Sequence, residues 1–133
     1  MDNDTRLAEV ADGIYQLTTY LSDIDFSVNQ YLIAGDEPLL FHTGMRGLFG
    51  PIADTVAKVT PPANLRWIAF GHIEADECGS LNQFLAVSPD ATPVQGATGC
   101  MVSIADLADR PPRPLADGET LDPSGSLRPR RRP

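Results

Sequence analysis

One stretch decides the fold: Ala69-Phe-Gly-His-Ile-Glu-Ala-Asp-Glu-Cys-Gly-Ser-Leu-Asn82. A short apolar run, residues 67–70, leads into Gly71, and four polar side chains follow: His72, Glu74, Asp76 and Glu77. Burying three carboxylates is costly unless a positive charge neutralises them. The stretch therefore predicts a metal site directly after a buried strand.

The composition fits one globular domain and excludes several classes of partner. The chain has 133 residues, 42% of them hydrophobic, which is enough to build a core. The net charge is −8, and four of the ten basic residues occupy the last six positions, so the rest is acidic and unsuited to nucleic acid. No apolar stretch reaches the length of a membrane span, and we expect no membrane partner. Two isolated cysteines, Cys78 and Cys100, favour a reducing cytoplasm over a disulfide scaffold.

Apolar periodicity predicts an α+β chain. Strands are predicted at residues 13–20, 27–34, 39–42, 65–70 and 92–95, and helices at about 48–59, 80–87 and 103–107. The turn at 35–38 indicates an antiparallel hairpin, and strand 65–70 is apolar on both faces, as in a sheet that is covered on each side. We expect residues 1–10 to be frayed or loosely helical, residues 96–99 to form a turn, and residues 116–121 to enter an edge strand.

The domain prediction divides the chain near its end. Residues 1–122 are predicted to form a partial domain, and residues 123–133, rich in Pro and Arg, a disordered tail. Because the tail does not continue the preceding pattern, we expect it to be the product of a truncation or a frame change.

The acidic loop allows two interpretations. In an extended segment, His72, Glu74 and Asp76 would point to one side and Glu77 to the other or into the next helix. Imidazole with carboxylates suits iron, manganese or zinc. Alternatively, the acidic residues form a solvated loop that caps a helix. Spacing alone leaves both interpretations open.

Other reactive residue types are expected to be structural. His42 is a lone histidine far from the loop in sequence. Cys78 has anionic neighbours, so its thiol should ionise less readily and pack as a small side chain, and Cys100 is expected in the core. With only two histidines in the chain, Ser80 and Ser103 lack a plausible catalytic partnership.

The order strand, His72-x-Glu74-x-Asp76, glycine, helix resembles the metal-binding loop of the metallo-β-lactamase fold. Glu74 resembles the flavodiiron branch and the related bacterial oxygen-binding di-iron proteins, whereas the hydrolase branch usually has His there. Asn29-Gln-Tyr-Leu-Ile33, Leu39-Leu-Phe-His-Thr-Gly44 and Leu115-Ala-Asp-Gly-Glu119 extend the resemblance over roughly residues 5–122. It implies an αββα sandwich, of which this chain supplies about one half as a mixed β-sheet with flanking helices.

The resemblance also implies a ligand set. His72 and Glu74 would bind one iron and Asp76 a second, while the family usually has His at the position of Glu77 and a further His near Gln95. A complete site holds two irons, and this chain is expected to hold two, one or none, with zinc as the alternative metal.

The implied function is binding or reduction of dioxygen or nitric oxide, impaired by truncation. Electrons would come from a redox partner protein, and an active form would be an oxidoreductase rather than a hydrolase. Two alternatives stay open: a metal-dependent hydrolase, and a non-catalytic fragment that binds at most one metal. Because half of the sandwich is missing, exposed apolar surface could lead to a homo-oligomer.

Overall fold

The structure, a computed structural model, describes residues 4–123 as one seven-stranded sheet whose strands lie in sequence order. The predicted tail at 123–133 falls almost wholly outside the described residues. The strands are β1 (Thr5–Ala11), β2 (Ile14–Leu21), β3 (Phe26–Ile33), β4 (Leu39–Phe41), β5 (Trp67–Ala69), β6 (Thr92–Gly96) and β7 (Arg113–Leu115). The helices are α1 (Phe49–Val56), α2 (Ala75–Cys78), α3 (Leu81–Val87), α4 (Ala97–Gly99) and α5 (Ala105–Leu107), with 3-10 turns at Arg46–Leu48 and Pro62–Asn64 and a π-helical turn at Cys100–Ile104.

The first half of the sheet is antiparallel. β2 and β3 pair along their whole length, from Ile14↔Ile33 to Leu21↔Phe26, and β4 pairs antiparallel with β3, which confirms the predicted hairpin. The expectation of a frayed or loosely helical segment was wrong for residues 5–10, because β1 pairs with β2 from Thr5↔Thr19 onward. Polar, weakly patterned residues form a strand there because a neighbouring edge offers backbone partners.

The second half is parallel, with β4, β5, β6 and β7 side by side. Two local predictions fail here. Residues 97–99 are helical and continue into the π-helical turn, and the edge strand is Arg113–Leu115, before residues 116–121. The apolar pattern was too short at both places to fix an element boundary.

The helices cover one face of the sheet. Leu17, Leu32, Leu40 and Ile68 point from the strands into this core, where each is fully buried. Ile52 and Val56 of α1, Phe84 of α3 and Ile104 of the π-helical turn meet them. Burying a side chain of this size stabilises a protein by about 1.5–3 kcal/mol.

The opposite face carries a smaller apolar cluster built from Leu39, Trp67 and Val94. Leu121 packs against it, and the Pro123 carbonyl accepts a hydrogen bond from the Glu37 amide at 2.8 Å. Trp67 and Ile68 therefore lie in different clusters, which confirms that β5 is apolar on both faces. Within residues 4–123, the helices are all too short or too polar to cross a membrane.

Candidate metal centre

The parallel strands bring two histidines to one edge of the sheet. His42 follows β4 directly, and His72 follows β5 after Phe70 and Gly71. β4 and β5 are adjacent and parallel, so their carboxyl ends share an edge. In sheets of this kind, ligands bind beyond the carboxyl ends of the strands.

Helix α2 turns the acidic loop inward. Residues 75–78 are helical with Glu74 as the N-cap, so the simple alternation predicted for an extended loop was wrong. In a helical turn, residues three apart share a face, which brings Glu74 and Glu77 together rather than apart. Glu77 is buried, Asp76 is half-buried and Glu74 is exposed.

The three carboxylates form a tight cluster. One ligand oxygen from each of Glu74, Asp76 and Glu77 lies within 4.8 Å of the other two. At that separation two unit charges repel by roughly 1 kcal/mol in bulk water and about 3.5 kcal/mol at the effective dielectric near a protein surface. A cation placed among them would replace this repulsion by attraction.

Glu77 makes the most specific contacts in the cluster. Its Oε1 accepts a short hydrogen bond from the His72 amide, and its Oε2 lies 3.4 Å from His72 Nδ1. His42 Nε2 lies 3.6 Å from Oε1. Both imidazoles lie within ion-pair distance of the Glu77 carboxylate. The buried carboxylate is thus held between both histidines of the chain.

Thr43 and Ser80 hold α2 against the turn after β4. The Thr43 amide and its Oγ1 hydroxyl both donate to the Glu77 carbonyl, at 2.6 and 2.9 Å. Ser80 Oγ donates to the Thr43 carbonyl at 2.9 Å, and both side chains are fully buried. These bonds fix where the Glu77 backbone lies relative to His42.

Two glycines permit this close approach. Gly44 has φ +84°, and a Cβ there would lie 2.4 Å from Ile52 Cδ1. A Cβ at Gly79 would lie 3.1 Å from the Met45 Cα. A side chain at Gly79 would press on the backbone of the turn, and one at Gly44 would press on the Ile52 side chain of α1.

Gln95 lies beside the site with its amide already engaged. Its Nε2 donates to the Phe70 carbonyl at 2.7 Å, and its Oε1 accepts from the Gly96 amide at 2.8 Å. These two bonds hold the Gln95 amide on the backbone at the start of the loop and engage both of its polar atoms.

The two cysteines are buried and unpaired. Burial, and then the charge of Glu77, raises the pKa of the Cys78 thiol, as the sequence predicted. Burial also raises the pKa of Cys100. Both thiols are therefore poor metal ligands and poor nucleophiles at neutral pH.

His42 is the site residue that sequence reasoning assigned to a purely structural role. Its side chain is 20% exposed and reaches Glu77, although the two residues are far apart in sequence. The sequence feature that could have indicated this role is the position of His42 directly after an apolar strand. Residues that follow two adjacent parallel strands lie at the same edge of the sheet.

The donors at this edge suit one divalent cation. Imidazole and carboxylate are ligands for iron, manganese and zinc, and the buried Glu77 gives such an ion a fixed anionic partner. A second ion would need donors from further elements, and the Gln95 amide on the neighbouring strand is bonded to the backbone. The described residues thus fit one metal ion better than two.

Comparison with known proteins gives the fold. No protein-family model and no curated protein sequence matches the chain. A single-site variant of the flavo di-iron protein from Thermotoga maritima superposes with a TM-score of 0.81 over 94% of this chain at 19% identity. The described chain has the metallo-β-lactamase fold.

Two further solved structures share this fold with the chain. Rubredoxin oxygen:oxidoreductase from Desulfovibrio gigas matches with a TM-score of 0.77 over 88% of the chain at 22% identity. A variant of the metallo-β-lactamase from Cronobacter sakazakii matches less well, with a TM-score of 0.63 over 82% at 18% identity.

The chain covers only part of each of these structures. It spans 35% of the Thermotoga protein, 32% of the Desulfovibrio protein and 44% of the Cronobacter protein. The half-sandwich expected from the sequence agrees with a single seven-stranded mixed sheet and flanking helices.

Proposed function

We propose that this chain is an iron-binding domain related to the flavodiiron proteins, and that its acidic loop holds one ferrous ion. The clustering of the Glu74, Asp76 and Glu77 oxygens within 4.8 Å, beside His72, carries the proposal. These four residues are the proposed ligands. Carboxylates with an imidazole are a common ligand class for non-haem iron.

The proposed small-molecule ligand is dioxygen or nitric oxide. The support is the likeness to structures named flavo di-iron protein and rubredoxin oxygen:oxidoreductase. Bound iron would supply the one-electron chemistry, while the residues of this chain hold it and keep its surroundings anionic. Electrons would come from a redox partner protein, a proposal supported by the likeness to the structure named rubredoxin oxygen:oxidoreductase.

A metal-dependent hydrolase is the second candidate. The Cronobacter metallo-β-lactamase supports it, since it shares the fold at a TM-score of 0.63. Glu74 argues against it, because a carboxylate stands where the hydrolase branch usually has an imidazole. In this alternative, zinc would activate a water for attack on an ester or amide.

Anaerobic purification followed by oxygen exposure separates the candidates. If the iron proposal is right, ferrous protein shows an iron-dependent absorbance change on addition of dioxygen or nitric oxide. Zinc binding with ester turnover and no such change would instead support the hydrolase. Sub-stoichiometric metal with neither response would identify a non-catalytic fragment.

His72→Ala provides the matched test of the loop. We expect it to remove the iron and the absorbance change together, because it removes the imidazole of the loop. Glu119→Gln is the control, because Glu119 pairs with Arg113 of β7, away from the loop. This variant should leave the iron content and the absorbance change unchanged. Unchanged metal content in His72→Ala would show that the loop is not the site.

A further inference from the structure

The two strands beside β5 hold its backbone where it leaves the sheet. Directly after β4, the His42 amide donates to the Ala69 carbonyl at 2.7 Å, and His42 Nε2 accepts a hydrogen bond from the Gly71 amide at 3.2 Å. From β6, Gln95 Nε2 donates to the Phe70 carbonyl at 2.7 Å. Three consecutive residues at the exit of β5 are therefore hydrogen-bonded to its neighbours.

The hydrogen bond to Gly71 defines the state of the His42 ring. A neutral imidazole has one nitrogen that accepts and one that carries a proton, so we assign the lone pair to Nε2 and the proton to Nδ1. This lone pair is used by the Gly71 amide. Glu77 Oε1, at 3.6 Å from Nε2, is too far for a direct hydrogen bond. The ring therefore acts on the backbone of the loop.

His42 is itself held in one place. Its ring stacks on Phe41 with centroids 4.2 Å apart, and its side chain is largely buried. Its backbone has φ +70°, a left-handed conformation that is uncommon outside glycine. Such conformations persist where surrounding contacts impose them, and they cluster at functional sites. The Nε2 atom is thus a fixed acceptor for the start of the loop.

The acidic loop starts at Gly71, and its direction depends on the backbone. The next amide, that of His72, donates to Glu77 Oε1. Two successive amides are thus bonded to two side chains, those of His42 and Glu77. The His72 side chain is 79% exposed, so packing does little to orient it. The backbone at Gly71 therefore decides where the His72 imidazole lies.

We propose that His42 is a positioning residue of the metal site, which fixes the Gly71 backbone and thereby places His72 beside the carboxylates of the loop. The inference rests on the proposed function, since it concerns the same site. His42 does not contact the ion in this arrangement. It raises the affinity for metal because a ligand that is already in place loses less conformational freedom when the ion binds.

Two substitutions separate the acceptor atom from the rest of the His42 side chain. His42→Gln keeps an acceptor close to the position of Nε2, whereas the shorter side chain of His42→Asn does not reach the Gly71 amide. Asparagine tolerates the left-handed backbone, so His42→Asn should keep the fold. The two variants therefore differ in the hydrogen bond to Gly71.

Amide hydrogen exchange measures this bond without metal. The full chain, labelled with 15N, is followed by NMR in the presence of a chelator. We expect exchange at Gly71 to be roughly fivefold faster in His42→Asn and within about twofold of the parent in His42→Gln, since one hydrogen bond is lost in the first and kept in the second. The amides of the β2–β3 hairpin should be unchanged and so report that the fold is intact.

Calorimetric titration with zinc tests the consequence for the metal site. We expect the zinc dissociation constant to rise by roughly tenfold in His42→Asn, as is typical when a group that orients a ligand is lost. His42→Gln should restore most of the parent affinity. Glu119→Gln, which alters a carboxylate paired with Arg113, is the control with unchanged affinity.

Each other outcome contradicts a defined part. Unchanged exchange at Gly71 in His42→Asn would overturn the inference, as would unchanged zinc affinity despite faster exchange. An equal loss of affinity in both His42 variants would show that the imidazole itself is required, and would also overturn it. These three results leave the proposed metal site standing. A parent chain that binds no zinc would instead refute the site, and the inference with it.

Discussion

Glu77 connects the features of the site at the scale of single residues. Its carboxylate contacts both histidines, and its carbonyl accepts two hydrogen bonds from Thr43. The sequence identified Glu77 as a ligand candidate but could not place His42 beside it. That contact depends on the pairing of β4 with β5, which sequence patterns do not specify.

Glu77→Gln separates the charge of this residue from its shape. The amide is nearly isosteric and can still accept the His72 amide proton, so the metal-free fold should be as stable as the parent or more stable. Loss of the buried anion should weaken metal binding by at least about tenfold, or 1.4 kcal/mol. Calorimetric zinc titration and thermal unfolding in chelator measure the two effects. A metal affinity equal to that of Glu37→Gln, a carboxylate outside the site, would contradict the role of Glu77.

Cys100 provides a pH-dependent prediction. Burial raises the pKa of its thiol above the ordinary 9.0. The unfolded chain then loses this proton first as pH rises, so the thiol contributes stability below pH 9 that is lost at more alkaline pH. In Cys78→Ala, alkylation of Cys100 by iodoacetamide should be slower than that of free cysteine at pH 8 and accelerate only at higher pH. An alkylation rate equal to that of free cysteine would contradict the prediction.

Secondary elements with a clear apolar pattern were predicted well. The β2–β3–β4 strands, the buried β5, and helices α1 and α3 lie where the periodicity placed them. The misses at β1 and at 116–121 are edge segments, whose conformation depends on the neighbouring backbone. The four-residue α2 was too short for its apolar pattern to indicate a helix, so the sequence left open whether Glu77 lies in a helix or on the far side of an extended loop.

The turn after β4 must approach two helices, and Gly44 makes this possible. Gly44→Ala places a Cβ in a left-handed backbone and against Ile52, so we expect a loss of about 1–2 kcal/mol in the free energy of unfolding. Gly47→Ala is the matched control, because a Cβ at Gly47 meets nothing within 4 Å. Denaturant unfolding compares the two. Equal stabilities would mean that the turn tolerates a side chain and does not fix the site.

At the scale of the whole molecule, the sequence predicted the fold, and its prediction of an incomplete metal centre stays a prediction. The order of strand, loop and helix carried the metallo-β-lactamase resemblance, and solved structures with that fold superpose on the chain. The number of ions depends on donors gathered from distant elements. Gln95 illustrates this, because its amide is hydrogen-bonded to the backbone of Phe70 and Gly96.

Association of chains stays a prediction at this scale. Large apolar side chains are exposed on the β2–β3 hairpin and on the helical segment before β7, namely Tyr20, Ile24, Phe26, Met101, Val102 and Leu107. Exposed apolar groups of this kind favour contacts between proteins when they form a continuous patch.

The central claim, one metal ion held at the end of β5, is tested most directly by metal content. The full chain is purified without oxygen, loaded with ferrous iron, freed of excess metal and analysed for iron per chain, with His72→Ala treated in parallel. We expect about one iron per chain in the parent protein and a large loss in the variant. Two irons per chain, or equal iron in both proteins, would contradict the claim.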